Sequence, residues 1–180
     1  MPTYSAFLRG VNISGRVVKM DQLRVHFEKL GLSNVETVIA SGNVIFSATS
    51  KNAATLEKKI HLGLQKALGY PVAIYVRTSA EIAALAGFRP FSAAKHKAAK
   101  VLLVGFIAEP LSKSAQKTLL SLGTDTDDLH TRGREIFWLA KLGQSASPLF
   151  RVPLEKHLGT LITWRNMNTV ERIAAKLADR

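Results

Sequence analysis

Between residues 3 and 76 the apolar positions switch between strand-like and helical spacing in one fixed order, and that order restricts the fold more than any single motif. Residues 3–8 form a short apolar run. Met20, Leu23, Phe27 and Leu30 then recur at helical spacing, with Asp21 in the first turn and Gly31 as the stop. Two strand candidates follow, 35–39 and 43–46, joined through the tight connection Ala40-Ser41-Gly42-Asn43. Leu56, Ile60, Leu64 and Leu68 give a second helix that tolerates Gly63, and 72–76 supplies a further strand. Strand, helix, strand, strand, helix, strand is the ferredoxin-like unit, with helices on one face of an antiparallel sheet.

The remainder reads less sharply. Thr78 and Glu81 have capping-box spacing ahead of a short helix that stops at Gly87, and Phe88–Lys97 is a connector without clear periodicity. Residues 100–107 form a strongly apolar strand; Pro110, Ser112 and Leu119 to Leu122 mark a helix ending at Gly123. Leu129–Thr131 and Glu135–Leu139 pair as a hairpin through Arg132-Gly133. A short helix over 153–158 ends at Gly159, residues 160–164 are apolar enough to be partly buried, and a last helix buries Val170, Ile173, Ala174 and Leu177, capped by Asn168 or Thr169. The expected organisation is α+β: a ferredoxin-like βαββαβ lobe over 1–78, a connecting helix and linker over 79–97, and a smaller C-terminal α/β lobe over 98–180. The second half approximates the element alternation of the first without a detectable sequence repeat.

A formal charge of +12 on 180 residues favours anionic partners, a nucleotide or nucleic acid among them. No basic tail concentrates it: residues 1–90 carry eleven Lys and Arg against five Asp and Glu, and residues 91–180 fourteen against eight. Without cysteine there is no disulfide, thiolate nucleophile or thiolate metal site. The apolar runs are too short for a membrane helix and no signal segment precedes the first strand, so a cytoplasmic protein is expected.

The chemistry-bearing residues form two polar segments. Arg9, Gly10, Asn12, Gly15 and Lys19 follow the first strand and combine cations, a carboxamide and two glycines that permit close approach of an anion to backbone N–H groups. The spacing matches neither a P-loop nor the dinucleotide fingerprint, and the same glycines would serve a purely structural crossover. Ser41 and Asn43 add hydroxyl and amide groups, although a hairpin uses those residue types for its own sake. Arg165, Asn166, Asn168 and Thr169 at a helix start suit a phosphate or carboxylate, or alternatively form a satisfied cap around a paired arginine. Trp164 could stack on a base or simply pack. Histidines 26, 61, 96, 130 and 157 are scattered without metal-binding spacing, so no metal is expected. Asp125, Asp127 and Asp128 lack the glycine and terminal glutamate of a calcium loop and read as a solvated turn. No nucleophile, carboxylate pair or ribonucleoprotein signature stands out, so the catalytic residues are unknown and no cofactor is implied.

Several blocks carry a family resemblance. They are Phe7-Leu-Arg-Gly-Val-Asn-Ile-Ser-Gly15, Lys19-Met20, Leu30-Gly31, Asn34-Val35, Ser41-Gly-Asn-Val-Ile-Phe46, Val76-Arg-Thr78, Gly133-Arg-Glu-Ile136 and Thr163-Trp-Arg-Asn-Met-Asn-Thr-Val170. In this order they resemble the bacterial family known only as domain of unknown function 1697, over nearly the whole chain. The resemblance implies a ferredoxin-like N-terminal lobe and a smaller α/β lobe, and no established reaction. Its signature falls on Arg9, Gly10, Asn12, Gly15, Lys19, Met20, Ser41, Gly42, Asn43, Arg165, Asn166, Asn168 and Thr169. The chain departs from it with Ser14-Gly15 in place of the usual Gly-Gly, and with Met167 in place of tryptophan between the two asparagines. The function expected is anion binding through the 9–19 loop and the 163–169 segment. A small-molecule enzyme acting on a phosphate- or carboxylate-bearing substrate, and a structural or protein-interaction module, are the alternatives.

Overall fold

The computed structural model describes residues 1–12 and 14–180. Its chain divides into two compact units, residues 1–86 with 171–180, and residues 87–170.

In the first unit β1 (Thr3–Arg9), α1 (Met20–Lys29), β2 (Ser33–Thr37), β3 (Asn43–Ser47), α2 (Ala53–Leu68) and β4 (Ala73–Thr78) occur in the expected order, followed by α3 (Ser79–Ala86). The four strands lie in the order β2-β3-β1-β4, all antiparallel. Tyr4, Ala6, Leu8, Val44, Phe46, Ile74 and Val76 project from one face into Leu23 and Phe27 of α1 and Leu56, Ile60 and Leu64 of α2. Local chemistry sets the helix ends. Asn52 Oδ1 accepts the Thr55 N–H at 3.1 Å to start α2, and Gly69, with φ of 80°, ends it. Gly63 gains a reason here: a Cβ at that position would sit 2.5 Å from Leu30 Cδ2, so its absence lets the end of α1 approach α2. The capping box is present as expected, Thr78 N–H donating to Glu81 Oε2 at 2.8 Å and Glu81 N–H to Thr78 Oγ1 at 3.2 Å.

One strand differs from expectation. β2 covers Ser33–Thr37 rather than 35–39, because Ile39 is 45% exposed and adopts a left-handed φ of 59° inside the connection to β3. That connection closes on Gly42, whose carbonyl accepts the Leu8 N–H at 2.8 Å. Gly42 has φ of 79°, and a Cβ there would lie 2.9 Å from Val11 Cγ2 and 3.3 Å from the Leu8 carbonyl oxygen.

The second unit contains α4 (Ala93–Ala98), β5 (Val101–Phe106), α5 (Lys113–Ser121), β6 (Asp127–Arg132), β7 (Glu135–Ala140), α6 (Leu154–Leu158) and β8 (Thr163–Asn166), with a short 3₁₀ turn at Pro148–Arg151. Its strand order β6-β7-β5-β8, again antiparallel, repeats that of the first sheet. The α+β expectation for two lobes therefore holds, and the second lobe is a further βαββαβ sheet with the same connectivity. Two elements escape the periodicity reading: α4, six residues capped by Ser92 within the supposed connector, and β8, four residues paired with β5 where only a partly buried segment was expected. Six residues are fewer than two helical turns and four are only two strand periods, too few for either period to stand out from its surroundings.

The last helix, α7 (Met167–Ala178), begins at Met167 rather than after a cap at Asn168 or Thr169, because Asn166 Oδ1 accepts the Asn168 N–H at 2.9 Å. Residues 171–180 group with the first unit rather than with 98–170. Lys176 pairs with Glu36, Arg180 Nη2 lies 2.7 Å from Glu36 Oε2, and Arg180 Nη1 donates to the Asn34 carbonyl at 2.6 Å. These contacts also occupy part of the exposed edge of β2.

Asp127 overturns the reading of residues 125–128 as a solvated turn. It is 1% exposed and accepts Trp138 Nε1–H at 2.7 Å, Ser147 Oγ–H at 2.6 Å, and the Thr124 and Thr126 hydroxyls at 2.7 and 3.2 Å. Burial alone would raise its carboxyl pKa, but the four donors outweigh burial and hold it below the usual aspartate value. Asp125 is exposed and Asp128 pairs with Lys95 at 2.6 Å.

Asp127→Asn is expected to destabilise the protein by about 2 kcal/mol at neutral pH, measured by urea unfolding, because a charge-assisted network loses its charge and one of its two acceptor oxygens. A lowered folded-state pKa adds stability that is complete above the unfolded value, about 3.9, and is lost as pH falls through the folded value. The variant should therefore show a shallower acid loss below about pH 4 than the parent. Gly42→Ala should cost about 2–3 kcal/mol in the same assay, combining left-handed strain with the clash against Val11 and Leu8.

Candidate functional site

The two polar segments identified from the sequence belong to different units and are built differently. Arg9 ends β1, half-buried and opposite Ala73 of β4. Gly10, with φ of 73°, turns the chain outward. Asn12 closes the loop: its Oδ1 accepts the Val18 N–H at 2.8 Å and its Nδ2 donates to the Ala40 carbonyl at 3.4 Å. Arg9, Asn12 and Val18 thus share one end of the first sheet with residues 39–43, a question that strand periodicity alone leaves open.

Asn43 is fully buried, and its Nδ2 donates to the Val38 carbonyl and to Ser41 Oγ, each at 2.9 Å. Its side chain therefore staples the hairpin. Ser14, Gly15, Ser41 and Lys19 are exposed, and the Arg16 guanidinium carbon lies 4.2 Å from the centre of the Tyr70 ring. Asn12 and Asn43 shape this sheet end, while Gly15, Lys19 and Ser41 line its outer surface. Ile13 lies outside the described residues.

In the second unit Arg165 is only 7% exposed, and its Nη1 donates to Thr163 Oγ1 and to the Trp164 carbonyl, both at 2.8 Å. Burial lowers its pKa to about 10, which still leaves it charged at neutral pH. This guanidinium faces internal acceptors rather than solvent. Trp164 packs edge-on against Trp138 with ring centres 5.6 Å apart, in the space that Gly105 leaves by lacking a side chain. Asn166 and Asn168 are exposed at the start of α7, and Thr169 is half-buried.

Asn166 and Asn168 line a depression of about 220 Å³ together with Arg89, His96 and Lys100, and no described residue lining it is acidic. Arg89 curls so that Nη1 donates to the Phe88 carbonyl at 2.9 Å. His96 Nε2 accepts the Phe91 N–H at 3.3 Å, which assigns the ring proton of the neutral form to Nδ1. Burial first, and then the positive charge of Arg89, lower the His96 pKa. Larger depressions exist, one of about 400 Å³ between the tryptophans and Val152, and one of about 640 Å³ beside Glu36 and Arg180. The first is lined mainly by aromatic and aliphatic side chains and includes Glu155, the second holds a carboxylate already paired with cations, and a third of about 370 Å³ is lined by Asp125 and Asp128, so the smaller basic pocket is the better match to an anion.

The sequence pointed to Asn166 and Asn168 here but missed Arg89, His96 and Lys100, which sit in the segment taken for a featureless connector and just after it. The available signal was the density of cations at Lys95, His96, Lys97 and Lys100. Also missed was a pair in the first unit between a buried arginine and a half-buried glutamate: Arg77 Nη1 lies 3.7 Å from Glu57 Oε1, which accepts the Val76 N–H at 2.7 Å. Among the described residues no group of three or more His, Asp or Glu side chains is placed to hold a metal. No described helix is long and apolar enough to cross a membrane.

The chain is similar over 98% of its length, and 98% of the other chain, to the structure of the conserved bacterial protein SP0830 from Streptococcus pneumoniae, with 26% sequence identity and a TM-score of 0.77. No curated protein matches it. A family model described as a protein of unknown function (DUF1697) matches residues 1–137, from the first strand into β7. The resemblance carried by the Leu8-Arg-Gly-Val-Asn12 and Ser41-Gly-Asn43 blocks is thus a family relationship, and the chain is a member of the DUF1697 family.

Proposed function

We propose that the protein binds an anionic ligand through the pocket formed by Arg89, His96, Lys100, Asn166 and Asn168. The observation that carries this reading is the lining itself: two permanent cations, a titratable imidazole and two carboxamides surround the depression, and none of the residues that line it is acidic. At about 220 Å³ it accommodates a phosphate or carboxylate head group, with the remainder of a larger ligand such as a nucleotide lying outside. Lys19 and the exposed glycine at position 15 belong to a second anion-facing surface in the first unit. Arg165 and Asn43 support their respective sheet ends from within. Binding is favoured over turnover because the Nε2 lone pair of His96 is engaged by the Phe91 amide and is therefore poorly placed to act as a base. The absence of cysteine suits the cytoplasmic setting of this reading.

Sulfate is the probe of choice because it does not titrate near neutrality. In ¹⁵N-labelled protein at constant ionic strength, sulfate added against chloride should shift the resonances of Arg89, Lys100, Asn166 and Asn168. It should also raise the His96 pKa. The free protein holds that pKa below about 6.5, so linkage requires sulfate affinity to increase as pH falls toward His96 protonation. Lys100→Ala should weaken binding by about tenfold. Shifts that spread over all surface lysines while the pocket is silent would sink the proposal.

A further inference from the structure

Leu56, Ile60 and Leu64 fix the inward face of α2. At about 100° per residue, Lys58, Lys59 and Lys66 then fall within roughly a 100° arc on the opposite side. All three are exposed, as are Lys51 ahead of the helix and Lys29 at the end of α1. Lys59 extends toward the turn that follows α1, its Nζ 3.9 Å from where a Cβ on Gly31 would lie.

None of these five lysines has an ion-pair partner among the described residues, in contrast to Lys95 with Asp128, Lys176 with Glu36 and Arg24 with Glu28. The only carboxylate of α2, Glu57, is directed to the Val76 amide and to Arg77. Like charges grouped this way repel one another, a cost that an external polyanion removes.

The character of the surface narrows the partner. Its only large apolar side chain on the α2 ridge is Leu62, 53% exposed, too little for an amphipathic helix to embed in a bilayer. No Phe, Tyr or Trp of the first unit is exposed among the described residues, so the surface has no stacking platform for unpaired bases. What it offers is a row of flexible point charges, with Lys58 and Lys66 about 12 Å apart along the helix axis. That separation spans three to four phosphate-to-phosphate steps of one duplex strand at ~3.4 Å axial spacing.

We propose that the outer face of α2, with Lys29 at the end of α1, docks the phosphate backbone of a nucleic-acid duplex, without regard to base sequence. The surface is independent of the anion pocket of the second unit. Fluorescence anisotropy with short DNA and RNA duplexes of unrelated sequence, across a salt series, tests it directly. The parent should bind both sequences alike, with an affinity that falls steeply as salt rises. Replacing Lys58, Lys59 and Lys66 together by glutamine should reduce the slope of log affinity against log salt by about 2.7, at ~0.9 for each phosphate that a lysine no longer neutralises.

A matched variant with Lys113, Lys117 and Lys141 changed to glutamine removes the same formal charge elsewhere and should change the slope far less. Circular dichroism melting establishes that both variants fold, and Lys100→Ala should leave duplex binding intact even if sulfate binding disappears. Equal effects from the two triple variants would overturn the proposal. So would tighter binding to single strands than to duplexes, or to vesicles of anionic lipid than to either.

Discussion

Much of the first unit follows from the central position of β1, which hydrogen-bonds β3 on one side and β4 on the other. A strand held on both edges cannot slip by one residue without moving Tyr4, Ala6 and Leu8 off the helix-covered face, so its register is fixed by burial. With the register fixed, Arg9 must emerge beside the start of β3 and the start of β4. The chain after Arg9 therefore meets the β2–β3 connection, where Asn12 reaches Ala40 and the Leu8 amide reaches Gly42. The polar residues of 9–19 and 41–43 are neighbours because the antiparallel order leaves them no other end to occupy.

The same topology in the second unit assigns its polar residues differently. β5 is central there, and the segment 165–169 leaves the last strand, β8, at the end of the sheet where β5 begins. Lys100, immediately before β5, consequently faces the same depression as Asn166 and Asn168. In the first unit the corresponding end lies at Thr78, the opposite end of the sheet from Asn12 and Gly42. The two segments that look alike in the sequence, each an arginine followed by asparagine and small residues, thus occupy non-equivalent ends of two sheets with the same strand order.

Elements defined by local chemistry were legible in the sequence. α2 carries its apolar repeat at Leu56, Ile60, Leu64 and Leu68 in one unbroken segment, and the Thr78–Glu81 box is complete within four residues. What could not be read depends on distant partners. Asp127 resembles its solvated neighbour Asp125 until β7 and the 3₁₀ turn bring Trp138 and Ser147, eleven and twenty residues further on, against its carboxylate. The anion pocket was half legible for a related reason. Asn166 and Asn168 announce themselves at a helix start, whereas Arg89 and His96 reach the pocket from a short helix and its lead-in that have no period to detect.

Arginine was the residue type most open to misreading, and its placement reveals a correspondence between the units. Arg77 and Arg165 are each the penultimate residue of the fourth strand of a sheet, each buried, and each donates from Nη1 to the carbonyl of the residue before it, at 3.0 and 2.8 Å. In both cases the next residue, Thr78 or Asn166, accepts a backbone N–H that starts the following helix. A buried guanidinium retains its charge only where internal acceptors replace its hydration, so these positions select arginine for its planar set of donors and tolerate lysine poorly. The positive field available to ligands is therefore shaped by exposed lysines and by exposed arginines such as Arg16, Arg89, Arg132 and Arg151, while Arg77 and Arg165 stabilise strand-to-helix corners.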